Sequence, residues 1–329
     1  AFLHHRLGFP YQEQWKHVPS ATTDHGLPAN AMAFPDLPVR EAIARGRARA
    51  VPFLRKAIED RTQPPPGAVF YMDFAGPLLP SIFHRFTCYA CVVDAGSGYG
   101  RLYPAHHMTA TVATAALDAF TAEMGAHMGF HGTFKPFIVR SDQGSAFVSH
   151  YFREFLQAHQ IHQSLACVYT PQQNAHAERF FGVTFATARV LLAAANLPPS
   201  FHPFALQTAA WIHNRLPRPS HGNVAPIFTL TRALPSLAFL YCFGCRCQVV
   251  VPVQRRDGDR HFADRGEFAL YLGPSEASPG SVVYLLSSRR ITTIPKLSKT
   301  WEDDFPGLAG DHFTWFPEPD APESAVGGA

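Results

Sequence analysis

The 329-residue chain is poor in charge, poor in cysteine and free of long apolar runs, and each shortage narrows what it can be. Charged side chains make up 16% of it, against about 25% in ordinary soluble proteins. With 47% hydrophobic residues it can bury a sizeable core, which excludes wholesale disorder. The net charge of +3 permits a nucleic-acid partner without demanding one. No apolar stretch approaches the roughly 20 residues that cross a bilayer, so no membrane partner is expected. The opening AFLHHRLGFP lacks the apolar stretch and cleavage site of a signal peptide. Six cysteines, none before Cys88, do not make the framework of a secreted disulfide protein, and a reducing intracellular compartment is expected. A start at Ala1 rather than Met and an ending in ESAVGGA are expected of a fragment. There is no internal repeat.

Residues 1–62 show little apolar periodicity. Their basic stretch (Arg40, Arg45, Arg47, Arg49, Arg55, Lys56, Arg61) is either a phosphate-contacting surface or a solvated face. The prolines at 64–66 hold residues 63–68 extended, as a linker. Residues 69–230 form the next unit. Within it, 69–74, 86–93 and 100–103 read as strands, with a turn at 94–98. A helix over 109–128, a strand at 137–140, a helix over 149–160 and a strand at 162–167 follow. A polar loop at 170–174 leads into a long helix ending at Asn196, where Leu197-Pro198-Pro199 stops it; another helix covers 203–215. Three antiparallel-looking strands followed by alternating helices and strands predict a mixed α/β sheet. Residues 231–304 read as a small β-rich region with strands at 247–253, 268–272 and 281–286. Residues 305–329, rich in Pro, Gly and acid, read as a disordered tail.

Three carboxylates stand out from this background. Asp73 lies inside an apolar strand, beside Tyr71, Met72 and Phe74, where a charge needs a reason. Asp142 follows Phe137-Ile138-Val139 and precedes Gln143-Gly144, where a strand exits into a loop. Glu178 falls in the first turns of the long helix, with 35 residues between it and Asp142. Brought together, the three would repel and raise one another's pKa unless a cation compensated. Oxygen ligands with open positions suit Mg²⁺ or Mn²⁺, and a pair of such ions serves phosphoryl transfer. Taken singly, each carboxylate also fits a turn or a buried hydrogen bond.

The words around these residues resemble the integrases of Ty1/copia-type LTR retrotransposons, in the retroviral integrase superfamily. They are Tyr71-Met72-Asp73-Phe74-Ala75-Gly76-Pro77, Ser141-Asp142-Gln143-Gly144-Ser145-Ala146-Phe147 and Tyr169-Thr170-Pro171-Gln172-Gln173-Asn174-Ala175-His176-Ala177-Glu178-Arg179, in that order. Downstream, Ala188-Arg189-Val190-Leu191-Leu192, Asn214-Arg215-Leu216-Pro217, Phe243-Gly244-Cys245 and Tyr271-Leu272-Gly273 resemble further words of the family. The resemblance runs over about 4–305. It implies an RNase H-like core: a five-stranded mixed sheet with helices on both faces. It also implies that Asp73, Asp142 and Glu178 bind two Mg²⁺ (or Mn²⁺) ions, with Asp73 shared between them. The implied chemistry is 3′-end processing of the element's cDNA and strand transfer into target DNA, by a polynucleotidyl transferase and endonuclease. Gln172, Gln173, Asn174 and Arg179 would touch DNA, the first three reading equally well as a plain polar turn; a homo-oligomer would act, and the work would be done in the nucleus after a cytoplasmic particle stage.

Several positions depart from the family. Its members begin with a zinc-binding His-His-Cys-Cys module, but Phe9 stands where the second histidine would be, and Arg40 and Ile43 stand at the cysteine positions. No zinc is therefore expected in the degenerate N-terminal region. Ala175-His176 replaces Gly-Val, Ala146 replaces a Glu, and Phe181-Gly182 replaces Asn-Arg, which removes a cation and an amide from the helix that would face DNA.

Other features have plainer readings. Cys88 and Cys91 have CxxC spacing on a strand, where i and i+3 point to opposite faces, so they read as core thiols. No histidine or cysteine follows Cys242, Cys245 and Cys247 at metal-knuckle spacing except His261. Asp94 reads as a turn residue. The histidines are not spaced as a ligand set, and the glycines at 96–100 lack the Lys-Ser/Thr of a nucleotide loop. The leading reading is thus a retrotransposon integrase. Its rivals are a decayed or domesticated remnant that binds nucleic acid without catalysis, and an RNase H-like nuclease unrelated to integration. The triad predicts three carboxylates converging at one cleft, within shared reach of a metal pair.

Overall fold

The computed structural model describes residues 2–26, 63–130, 134–165, 175–219, 222–251, 254, 264–276 and 278–308. Apolar, β-branched and aromatic residues form the strands β1 (Val69–Ala75), β2 (Cys88–Asp94) and β3 (Gly100–Ala105), and β2 is buried at every position. With β4 (Ile138–Ser141) and β5 (His162–Leu165) they make a sheet of order β3-β2-β1-β4-β5. The β1–β2 and β2–β3 pairs are antiparallel, whereas β1–β4 and β4–β5 are parallel. This is the RNase H-like arrangement that the resemblance implied. The strands run one or two residues off their expected limits, a margin normal for element ends.

Alternation along β1 divides the core. Phe70 and Met72 pack with Ala90 and Val92 under α3 (Ala110–His127) and α5 (His150–Ala158). These helices are capped by Thr109 and Ser149, whose side chains accept from the Val112 and Phe152 amides. A short α4 (Ser145–Val148), absent from the sequence expectation, precedes α5. On the other face Val69 and Tyr71 pack with Tyr89, Cys91 and Val93 under α6 (Ala175–Ala195) and α7 (His202–Arg215). Another short helix, α8 (Pro226–Thr231), adds Ile227 and Leu230 to the first face.

The β-rich region is an antiparallel sheet of order β10-β6-β7-β8-β9: β6 (Arg246–Val250), β7 (Gly266–Pro274), β8 (Ser281–Leu285), β9 (Arg290–Ile294) and β10 (Lys299–Trp301). The last two strands escaped the sequence expectation. Their residues are half-buried or exposed, with no apolar run to mark them. Leu270, Leu272 and Tyr284 of this sheet belong to the same apolar cluster as Tyr71 and Leu191 of the first.

Near the start, α1 (Phe2–Arg6) and α2 (Gln12–Ala21) pack on α7, where Leu7, Trp15 and Val18 meet Trp211, Ile212 and Leu216. Phe9 is fully buried against Val190 and Ala194 of α6. His4 bonds the Pro10 carbonyl at 2.9 Å, and His5 stacks between Phe9 and Phe305. Burial brings His5 down to about 4, so it stays neutral in the folded protein. Arg6 reaches across to Glu302, which also accepts the Cys242 amide at 2.9 Å. The expected onset of a tail at 305 is corrected by this packing. Phe305 is held between apolar groups, and Pro306–Leu308 forms a 3-10 turn bonded to Asn196. Residues 27–62, with their basic stretch, and residues 309–329 lie outside the described residues. No helix among the described residues is long and apolar enough to cross a membrane.

Candidate active site

Parallel pairing of β1 with β4 sets Val69 beside Ile138, Phe70 beside Val139 and Tyr71 beside Arg140. Continued two residues, that register brings Asp73 level with Asp142, just past the end of β4. Asp73 shares the β1 face of Val69 and Tyr71, the face that α6 covers, and Glu178 sits in the first turn of α6. The fold therefore carries all three expected residues to one end of one sheet.

Asp73 is half-buried and its Oδ1 accepts the Phe74 amide at 2.8 Å. Its carboxyl is pushed up to about 6. Burial is the main cause, the Phe74 amide opposes it, and the charges of Asp142 and Glu178 add to it. Asp142 is exposed, with Oδ1 turned back onto the Gly144 amide at 3.0 Å; Glu178 is exposed as well. Asp73 feels both other charges, yet among the described residues no three His, Cys, Asp or Glu side chains are grouped closely enough to hold a metal ion. Mutual repulsion and the Asp142–Gly144 turn both work against closer approach.

The first turn of α6 is pinned by residues the sequence reading passed over. His176 stacks on Tyr71 with ring centroids 4.6 Å apart and planes at 24°, and the Tyr71 hydroxyl accepts from Arg140 Nη1 at 2.8 Å. Ala177 is fully buried beneath the helix. His176 was noted only as a departure from the family's Gly-Val. The signal available was an aromatic ring two residues ahead of an expected ligand. Of the expected DNA contacts, Arg179 is exposed on α6, while Gln172, Gln173 and Asn174 lie outside the described residues.

The remaining words serve architecture. Buried Asn214 grips Gly100 at the start of β3: Nδ2 donates to its carbonyl at 2.9 Å and Oδ1 accepts its amide at 3.1 Å. Asn214→Ala leaves both groups buried without partners, and urea unfolding should register a loss of about 2 kcal/mol. Gly273, at φ +125°, lies against Thr208 of α7, where a Cβ would overlap the hydroxyl. Asp94, fully buried, accepts from the amides of Gly67 (2.9 Å) and Ser97 (2.8 Å), which is the turn role read from sequence. Cys88 and Cys91 are buried, and so are Cys242, Cys245 and Cys247 in the second sheet's core; burial pushes the Cys247 thiol up to about 12. His261 lies outside the described residues.

The integrase core domain family matches residues 50–171, a span that holds Asp73 and Asp142 and stops short of Glu178. The Pol polyprotein of transposon TNT 1-94 from Nicotiana tabacum is 35% identical over 118 residues, 36% of this chain and 9% of that polyprotein. That of transposon RE2 from Arabidopsis thaliana is 27% identical over 273 residues, 83% of this chain and 17% of that polyprotein. The chain carries a retroviral-type integrase core. It spans less than a fifth of the length of either retrotransposon relative. Among solved structures, the HTLV-2 integrase catalytic core domain in complex with magnesium (trimeric form) is 20% identical, with a TM-score of 0.39 over 51% of this chain and 99% of that one. Asp73 on β1 and Asp142 just past β4 fall inside the matched span, and Glu178 on α6 lies beyond it.

Proposed function

We propose that the protein is the integrase of a retrotransposon polyprotein, a polynucleotidyl transferase that trims the 3′ ends of the element's DNA and joins them to target DNA. The observation that carries this reading is Asp73: a half-buried carboxylate inside a strand, pushed up to about 6 by burial with Asp142 and Glu178 adding to the effect. An acid kept in so costly a place is a functional-site signature. The donor set also fits a hard divalent cation, being all carboxylate oxygen, with two of the three groups exposed. Asp73, Asp142 and Glu178 would hold Mg²⁺ or Mn²⁺. Bound there, the ions supply Lewis-acid stabilisation of charge on phosphoryl oxygens. The chain's own contribution is position. The β1–β4 register aligns two of the acids, and the Arg140–Tyr71–His176 stack fixes the helix turn that carries the third. Arg179, with Gln172, Gln173 and Asn174, would face the DNA end, and a homo-oligomer acting in the nucleus would bring two ends together.

One observation favours the remnant reading: Phe9, His4 and His5 serve packing. Incubating the full chain with a labelled DNA end and Mn²⁺ separates the two. Trimmed or joined product from wild type and none from Asp142→Asn is the expected result. DNA binding by both proteins with product from neither would identify a remnant.

A further inference from the structure

A second feature of α6 lies beside the carboxylates, not among them. His176, Arg179 and His213 line a cavity of about 60 Å³ together with Arg218, between α6, the end of α7, Val93 of β2 and Gly98 of the β2–β3 turn. Its size is far below the roughly 300–1,000 Å³ of small-molecule sites, and suits one tetrahedral oxyanion. The Arg218 Nε is covered from solvent and has no hydrogen-bond partner among the described residues. Its other contact is with a neutral acceptor. His213 Nε2 faces the Gly98 carbonyl at 3.3 Å and so carries the proton, which leaves Nδ1 to accept from Arg218 Nη2. Burial brings the guanidinium down to about 10, and no carboxylate among the described residues acts against that effect. A covered cation without a counter-charge is costly, and a second cation, Arg179, stands on the same wall. Both circumstances call for an anion.

The cavity's place suggests which anion. Val93 pairs with Tyr71, two residues along β1 from Asp73, or roughly 7 Å at the strand rise. A DNA strand whose reacting end lies at Asp73 therefore has backbone phosphates within reach of this wall. We propose that this cavity is an oxyanion site and that its occupant is a backbone phosphate of the DNA strand bearing the reacting end. The choice of DNA rests on the integrase reading; the oxyanion site rests on Arg218, His213 and Arg179 alone.

Two measurements on the full chain test it. Labelling with ¹⁵N at arginine and histidine allows the Arg218 Nε–H and His213 ring resonances to be followed while inorganic phosphate is added. Saturable shifts of both are expected. In parallel, binding of a labelled DNA end is followed against salt, in EDTA. Arg218→Gln should weaken binding about tenfold at low salt and reduce the slope of log K against log salt by about one, whereas Arg218→Lys should keep the wild-type slope. Unmoved resonances, with equal slopes for wild type and Arg218→Gln, would overturn the site and leave the integrase reading standing. Phosphate-induced shifts in a protein that binds no DNA would overturn the DNA occupant and the integrase reading together. Because the phosphate titration uses wild type, the test survives poor folding of a variant.

Discussion

Asp73→Asn should abolish DNA joining and, in the same molecule, make the metal-free protein more stable at pH 7.5 by about 2 kcal/mol. The sign follows from linkage. Folding lifts Asp73 from its ordinary 3.8 to about 6, so between these values the folded protein binds more protons than the unfolded chain. Stability therefore falls as pH rises through that window, and the whole penalty is present above about 6. A shift of that size is worth ~3 kcal/mol, reduced to about 2 because water reaches one side of the carboxyl. Asparagine carries no charge and escapes the penalty, so the gain should vanish below about pH 3.8. Urea unfolding of both proteins at pH 3.5, 5 and 7.5 measures it, and a gain independent of pH would refute the assignment. Adding Mg²⁺ at pH 7.5 should raise the melting temperature of wild type and leave Asp73→Asn nearly unchanged.

Glu123 presents the opposite case. Burial alone would raise its carboxyl, but His127, Arg101 and Tyr99 overcome that and hold it down at about 2, against an ordinary 4.5. Tyr99 donates to it at 2.5 Å and Arg101 Nε at 2.8 Å. Arg101 also pairs with Glu276, so one cation on β3 joins α3 to the loop after β7. With a depressed folded value, the stabilisation is complete above about 4.5 and is lost as pH falls toward 2. Glu123→Gln should cost about 3 kcal/mol at pH 7 and next to nothing at pH 2. Equal losses at both pH values would show that packing, not charge, accounts for the residue.

The candidate site could be read from sequence because its parts are local. A carboxylate in an apolar strand, another at a strand exit and a third opening a helix are each visible from immediate neighbours, and the 35-residue spacing orders the last two. The centre of the five-stranded core could be read for the same reason: β1 and β2 are nearly continuous apolar runs, as buried strands must be. What escaped depends on distant partners. His176 gains its role from Tyr71, over a hundred positions earlier, and Arg218 gains its isolation from the shape of a cavity. The weak strands at 290–294 and 299–301 exist only because β8 and β6 offer them edges. The N-terminal helices earned no expectation because their apolar residues answer to α7 and α6, not to a face of their own.

The shared cluster of Tyr71, Leu191, Leu272 and Tyr284 bears on how the molecule can be cut. A fragment stopped after Thr231 would strip Tyr284 from Phe201 and Leu272 from Thr208, baring apolar surface that invites self-adhesion in solution. Laboratory truncations should accordingly run past Trp301, and the melting curve of such a piece should show one step rather than two, since neither sheet owns a complete interior by itself.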